Sequence, residues 1–139
     1  METKRGRIVD QPRLDGRGEA RLTKVVGVKQ FGVNHIILNP GAFTSRRHWH
    51  EEEDEFVLVL EGEATLIDDN GAHTLGPGEF AGFPRGVANA HHFTNRTDTP
   101  ALLLVVGTRY IGLEHCHYPD DGGVRVPLER DADGERVRR

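Results

Sequence analysis

Between Gly41 and Gly62 the chain reads GAFTSRRHWHEEEDEFVLVLEG, and the single residue Trp49 separates His48 from His50. Side chains in a β-strand repeat on one face at every second position, so both imidazoles point one way and Trp49 the other. A polar turn over Glu51 to Asp54 follows, and Glu55 then heads the apolar run FVLVL. The turn breaks the alternation, which lets Glu55 face inward beside the histidines. Two strands joined by a turn thus bring three metal-ligating groups together.

A further ligand is expected from Gly78 to Asn95, GEFAGFPRGVANAHHFTN. Pro84-Arg85-Gly86 is a turn, and His91 opens the next strand, sharing a face with Phe93 and Asn95 while His92 faces away. The expected metal site is therefore His48, His50, Glu55 and His91, with His92 the competitor for the last place. Imidazole nitrogen suits iron, manganese, nickel, zinc and copper alike, so ligand type does not choose the metal. Three histidines and one carboxylate leave positions open for substrate or dioxygen, whereas a closed structural zinc site would use more cysteine.

Both stretches carry an ordered pattern that resembles the two motifs of the cupin superfamily. The first is formed by Gly41, His48, His50, Glu55 and Gly62, the second by Gly78, Pro84, Gly86, His91 and Asn95. The spacing departs once, because four residues rather than two separate Gly86 from His91. Strict spacing would put Asn89 at the ligand position, but Asn89 is a poor ligand for a transition metal, and His91 and Asn95 keep their four-residue relation. The resemblance covers roughly residues 25 to 108 and implies a jelly-roll β-barrel with a central divalent metal, one of iron, manganese, nickel or zinc. It also implies a homodimer, as do strands with apolar residues on both faces.

The rest of the chain fits an all-β domain. Seventeen glycines and seven prolines punctuate short apolar runs in 139 residues, enough for one domain with its own core. Strands are expected over Lys24 to Val28, Phe31 to Leu38, Phe56 to Leu60, Ala64 to Ile67, His73 to Leu75, Glu79 to Phe83 and Ala101 to Val106. Asp69-Asn70-Gly71 is the clearest hairpin signal. Both Phe31 to Leu38 and Phe56 to Leu60 are apolar on two faces, which calls for a second packing layer. Residues 1–20 are expected as a polar arm, solvated in preference to an edge strand wrapping a neighbouring subunit, 21–112 as the barrel, and 113–139 as an extension packing on the barrel or a partner, its last ten or so residues solvated.

The formal charge of −4, without a basic stripe, speaks against nucleic acid. One cysteine, Cys116, excludes an internal disulfide, and no signal or membrane segment stands out, so a cytoplasmic protein is expected. The acidic run Glu51 to Asp54 lacks the glycine of a calcium loop and is expected to be a solvated turn at the barrel mouth. His115-Cys116-His117 repeats the His-x-His form but has no third partner at a matching spacing, and chance is the expectation. Arg46, Arg47, Arg85 and Arg109 can hold an acidic substrate, Arg46 best because it shares the face of His48 and His50. Asn95 is expected either to assist at the site or to brace its turn.

The expected ligand is a small, carboxylated or sugar-like molecule. Three functions follow: a metalloenzyme (dioxygenase, isomerase or lyase), a non-catalytic metal or ligand binder, and a sugar isomerase or epimerase.

Overall fold

The structure is a computed structural model that describes residues 2–12 and 15–137. Its elements run β1 Gln11–Pro12, β2 Arg17–Arg21, α1 Leu22–Val26, β3 Phe31–Leu38 and β4 Trp49–His50. The chain continues with β5 Glu55–Glu61, β6 Ala64–Asp68, β7 Gly71–Leu75 and β8 Phe80–Phe83. It closes with β9 His92–Thr94, β10 Ala101–Thr108, β11 Gly112–Tyr118 and β12 Val124–Arg130. Every pairing is antiparallel: a six-stranded sheet ordered β1-β2-β3-β10-β5-β8, and two three-stranded sheets, β12-β11-β4 and β7-β6-β9. The fold is an all-β jelly roll.

Along the inner face of the large sheet the character of the side chains changes from one end to the other. At one end Leu38, Ala101, Leu103, Val59 and Val57 are buried and pack with Leu66, Leu75 and Phe93 from the β7-β6-β9 sheet. Burial of each large side chain there contributes about 1.5–3 kcal/mol. Toward the other end the same strands present Asn34 and Gly32, Gly107, and Glu55, and the packed core gives way to a cavity. Gly62, in the short link that carries the chain from β5 in the large sheet to β6 in another, has φ 73°, and a Cβ there would lie 2.6 Å from the Pro100 carbonyl oxygen, so no other residue fits without displacing backbone.

Several expectations change. Lys24 to Val28 is not a strand: Leu22–Val26 forms one helical turn, ended by Gly27 at φ 74°, whose N–H bonds the Thr23 carbonyl. The β-branched run favours a strand locally, but β2 and β3 are antiparallel neighbours and the chain must reverse between them. Thr23 Oγ1 then accepts the Val33 N–H at 3.1 Å.

The expected solvated arm of residues 1–20 contributes β1 and β2 to the large sheet instead, apart from residues 1, 13 and 14, which lie outside the described residues. Asp10 reaches the buried His35 Nδ1 at 2.9 Å. A boundary at 112/113 would cut through β11, which pairs with both β12 and β4 and so forms part of the wall bearing the first histidine pair. The C-terminal residues are not simply solvated: Gly134 is buried, and Glu135 bonds Arg21 and Arg109. Residues 138 and 139 lie outside the described residues. Among the described residues none supplies the outer layer expected over β5, where Phe56, Leu60 and Phe80 are exposed.

Candidate metal centre

A cavity of about 380 Å³ opens between the large sheet and β4, β9 and β11, and His48, His50, Glu55 and His91 all line it. Ligand atoms of His48, His50 and Glu55 lie within 4.8 Å of one another. The segment before β4 is held to the segment before β9 by a bridge in which the His48 and His91 backbones exchange hydrogen bonds of 3.1 and 2.9 Å. That bridge places the His91 ring 5.0 Å from the His48 ring. His91 Nε2 lies 2.6 Å from Glu55 Oε1, and its ring stacks on Phe83 at 3.5 Å between centroids. His91 Nδ1 is buried without a hydrogen-bond partner. His92 points away: its Nδ1 lies 2.9 Å from the Ser45 carbonyl and its ring lies against Phe43.

The environment behind His50 was not anticipated from the sequence. Glu114, 1% exposed, accepts the backbone N–H groups of Glu52 and Glu53 at 3.1 and 3.0 Å, and both of its oxygens lie 3.1 Å from His50 Nδ1. An ionised carboxylate only accepts, so Nδ1 carries a proton, and Nε2 is the nitrogen left to act as a ligand, an ion there displacing the second proton of the ring. Cys116 Sγ stands 3.2 Å from the same Nδ1. The signal lay in the alternation of β11, where Glu114, Cys116 and Tyr118 take one face, a polar pattern that does not advertise a buried strand.

Electrostatics divide the ligand groups. Burial pushes the His48 imidazole below its ordinary value. Burial acts the same way on His50, but the hydrogen bonds to Cys116 and Glu114 outweigh it and raise His50 to about 10. For Glu55 burial opposes ionisation, while the His91 hydrogen bond and the charges of the three histidines bring it down to about 2. An ionised carboxylate among three imidazoles is a donor set that fits a divalent transition ion.

The acidic run is not the solvated turn expected. Glu53 is 4% exposed and takes a two-pronged contact from Arg130 at 2.7 and 3.2 Å, together with the Tyr110 N–H at 2.8 Å. Glu51 binds His117 Nε2 at 2.6 Å and Arg125 at 2.7 Å. Partners 57 to 77 residues downstream, on β12 and around β11, make these carboxylates structural.

Arg46 lines the cavity but is exposed, pairs with Asp121 at 2.5 Å, and lies over the Tyr118 ring. Arg47 is turned to Asp120 and Asp69, and Arg85 to Glu52. Arg109 is buried at the cavity wall, where Arg17, Arg130 and Arg136 join it. Asn95 lies away from the cavity lining: its amide donates to the Leu38 and Thr99 carbonyls at 2.9 and 2.7 Å and accepts from Thr97, bracing the turn before β10.

The cupin domain family matches residues 34–107. Among solved structures, a sugar phosphate isomerase of the cupin superfamily from Silicibacter pomeroyi DSS-3 is 46% identical, covering 91% of this chain and 78% of its own, with a TM-score of 0.77. A candidate sugar phosphate isomerase from Acidithiobacillus ferrooxidans ATCC 23270 is 31% identical over 87% of this chain and 74% of its own, TM-score 0.74. The polyketide cyclase RemF from Streptomyces resistomycificus is 27% identical over 76% and 73%, TM-score 0.59. No match was found among curated proteins.

Proposed function

Because the chain belongs to the cupin domain family, we propose that it is a metal-dependent enzyme that isomerises a small sugar-like molecule in the barrel cavity. His48, His50, Glu55 and His91 hold one divalent transition ion, iron, manganese, nickel or zinc. The observation that carries this reading is the gathering of the His48, His50 and Glu55 ligand atoms within 4.8 Å at the cavity wall, with His91 against the same carboxylate. The likeness to sugar phosphate isomerases supports the choice of isomerisation over dioxygenase or lyase chemistry.

The bound ion would polarise a carbonyl or hydroxyl oxygen of the substrate as a Lewis acid. The chain's part is orientation. Glu114 keeps the proton on His50 Nδ1, Phe83 fixes the His91 ring by stacking, and Val57, Phe93 and Val105 close the cavity floor against water. The fit of a polar substrate is supported by the Asn34, Thr44, Ser45 and Thr108 groups that line the same space.

Two further parts of the reading rest on other features. Exposed Phe56, Phe80 and Leu60 on the outer face of the large sheet support a homodimer formed there. A mass of two chains in solution, falling to one in Phe80→Glu, is the expected result. A single buried cysteine suits the cytoplasm, where thiols stay reduced. Among the described residues no helix is long and apolar enough to cross a membrane.

Elemental analysis of protein purified without added metal, beside His91→Ala, tests the centre. One ion per chain, lost in the variant, is expected, together with aldose–ketose interconversion of a sugar phosphate by the wild-type protein. Wild-type protein that takes up no metal when offered it would sink the reading. Metal-loaded protein that interconverts no sugar phosphate would leave a ligand-binding protein.

A further inference from the structure

A row of paired residues crosses the inner face of the large sheet beside the candidate metal centre: Gly32 on β3, Gly107 on β10, Glu55 on β5 and Phe83 on β8. The two glycines leave bare backbone next to the ligand carboxylate, and both line the cavity. Neither has a positive φ, so conformation does not demand glycine at either place. Gly32 has a packing reason. A Cβ there would meet Arg109 Nε at 2.8 Å, so the guanidinium lies directly on it. Gly107 has none: a Cβ would meet nothing nearer than the Asp54 carbonyl oxygen at 3.4 Å, an ordinary contact.

Strands in a sheet are spaced about 4.8 Å apart, so Arg109 over Gly32 sits about 10 Å from the Glu55 position, across the bare Gly107. That is the length of a short carbon chain ending in a charged group. In the adjoining row, Asn34 is paired with Val105, and its Oδ1 is buried without a hydrogen-bond partner. A buried acceptor left unmet is costly, and a ligand hydroxyl would meet it.

The charge of the cavity points the same way. Five arginines and four carboxylates line it, in a protein of formal charge −4. Arg130 is matched to Glu53, and Arg46 to Asp121. Arg109 has only Glu135 at 3.4 Å, a carboxylate it shares with Arg21, and Arg136 has no carboxylate partner among the described residues. Burial and the charges of Arg21 and Arg130 both push the Arg109 pKa down, the mark of a cation short of counter-charge.

We propose that the cavity binds a hydroxylated chain carrying an anionic group, a phosphate monoester or a carboxylate. The chain lies across Gly107 with the anion on Arg109 and Arg136, a hydroxyl on Asn34 Oδ1, and its other end at the histidine cluster. The orientation of that far end rests on the metal-centre reading. The segment 131–137 serves the anion: Gly134 packs on Arg109, Glu135 holds it, and Arg136 joins it at the cavity.

The test is calorimetric titration of the full chain, as purified and after chelator treatment, with ribose 5-phosphate, ribonate, ribose and inorganic phosphate. Ribose 5-phosphate or ribonate is expected to bind about tenfold or more tightly than ribose, as a charge-assisted contact implies, and the tighter of the two identifies the anion. Gly107→Ala should weaken that binding about tenfold or more while melting temperature, metal content and inorganic phosphate affinity stay as in wild type. Arg109→Gln should weaken inorganic phosphate as well. Ribose binding as tightly as its anionic derivatives, absence of binding by every anionic probe at millimolar concentration, or an unchanged affinity in folded Gly107→Ala would each overturn the proposal. Phosphate binding that survives in metal-free protein and is lost in Arg109→Gln would separate the anion site, which then stands, from a failed metal centre.

Discussion

The chain spells His-x-His twice, and the structure sets the two copies side by side on antiparallel strands. His48-Trp49-His50 leads into β4 and His115-Cys116-His117 lies in β11, with Cys116 paired to His50 and His117 to Trp49. Paired residues share a face, so the two motifs are in opposite phase. The first sends its histidines into the cavity and its Trp49 outward. The second sends Cys116 inward, against His50, and its histidines outward, where His117 stacks on Trp49 at 3.9 Å and 6°. One spelling thus yields a candidate metal centre and, one strand away, a packing contact, and only strand phase distinguishes them.

The largest contrast is expected from matched deletions. His50→Ala should abolish stoichiometric metal binding in a protein whose circular dichroism is still that of a β-barrel, while His117→Ala should keep its full complement. Retention of metal in the first variant, or its loss in the second, would erase the distinction between the two motifs. A smaller effect is expected at the residue that couples the strands. Glu114→Gln removes the charge behind His50 Nδ1, and metal retention measured by chelator competition should fall about 10–100-fold.

Stability probes the outward motif. Trp49→Leu removes the stack on His117 and should cost about 1 kcal/mol, a fall in melting temperature of about 2–8 °C, with metal content untouched. A metal deficit in that variant would mean that the outward face also shapes the centre. The smallest effect concerns pH. The Glu51 carboxyl is held at about 2, against its ordinary 4.5, by hydrogen bonds from Arg125 and His117. A depressed pKa means that its contribution is complete above 4.5 and disappears as pH falls toward 2. Melting temperature followed over that interval should drop less steeply in Glu51→Gln than in wild type; parallel curves would show that the tie contributes nothing.

The distinction between the motifs also marks how much could be read from residues in a row. Strand β3, the Asp69-Asn70-Gly71 hairpin and the core half of β10 obey local rules of alternation and turn chemistry, and the structure has them where those rules put them. So do the strand-and-turn arrangement of His48 and His50 and the inward turn of Glu55. Strands β11 and β12 were not legible. Their inward residues include Glu114 and Cys116, whose partners on β4 and its turn lie some 60 residues earlier. Polarity normally signals a solvated face, and here it signals a strand whose buried groups are satisfied by a distant one. Glu53 misleads for the same reason, because its matching cation is Arg130. Helix α1 shows the converse, a β-branched run whose local preference yields to chain reversal.

The clasp formed by residues 131–137 has a consequence for synthesis. Arg21 and Glu135 are 114 residues apart, and β2, β3 and the histidine strands all leave the ribosome well before Glu135 does. Chains grow from the N-terminus and fold as they emerge. The nascent barrel therefore passes through a stage in which its histidine pair and Glu55 have been made while the wall carrying Arg130, Gly134 and Arg136 has not. During that interval the cavity lacks the side of its wall that Arg130 and Arg136 supply, and it stands as a trough rather than an enclosed space.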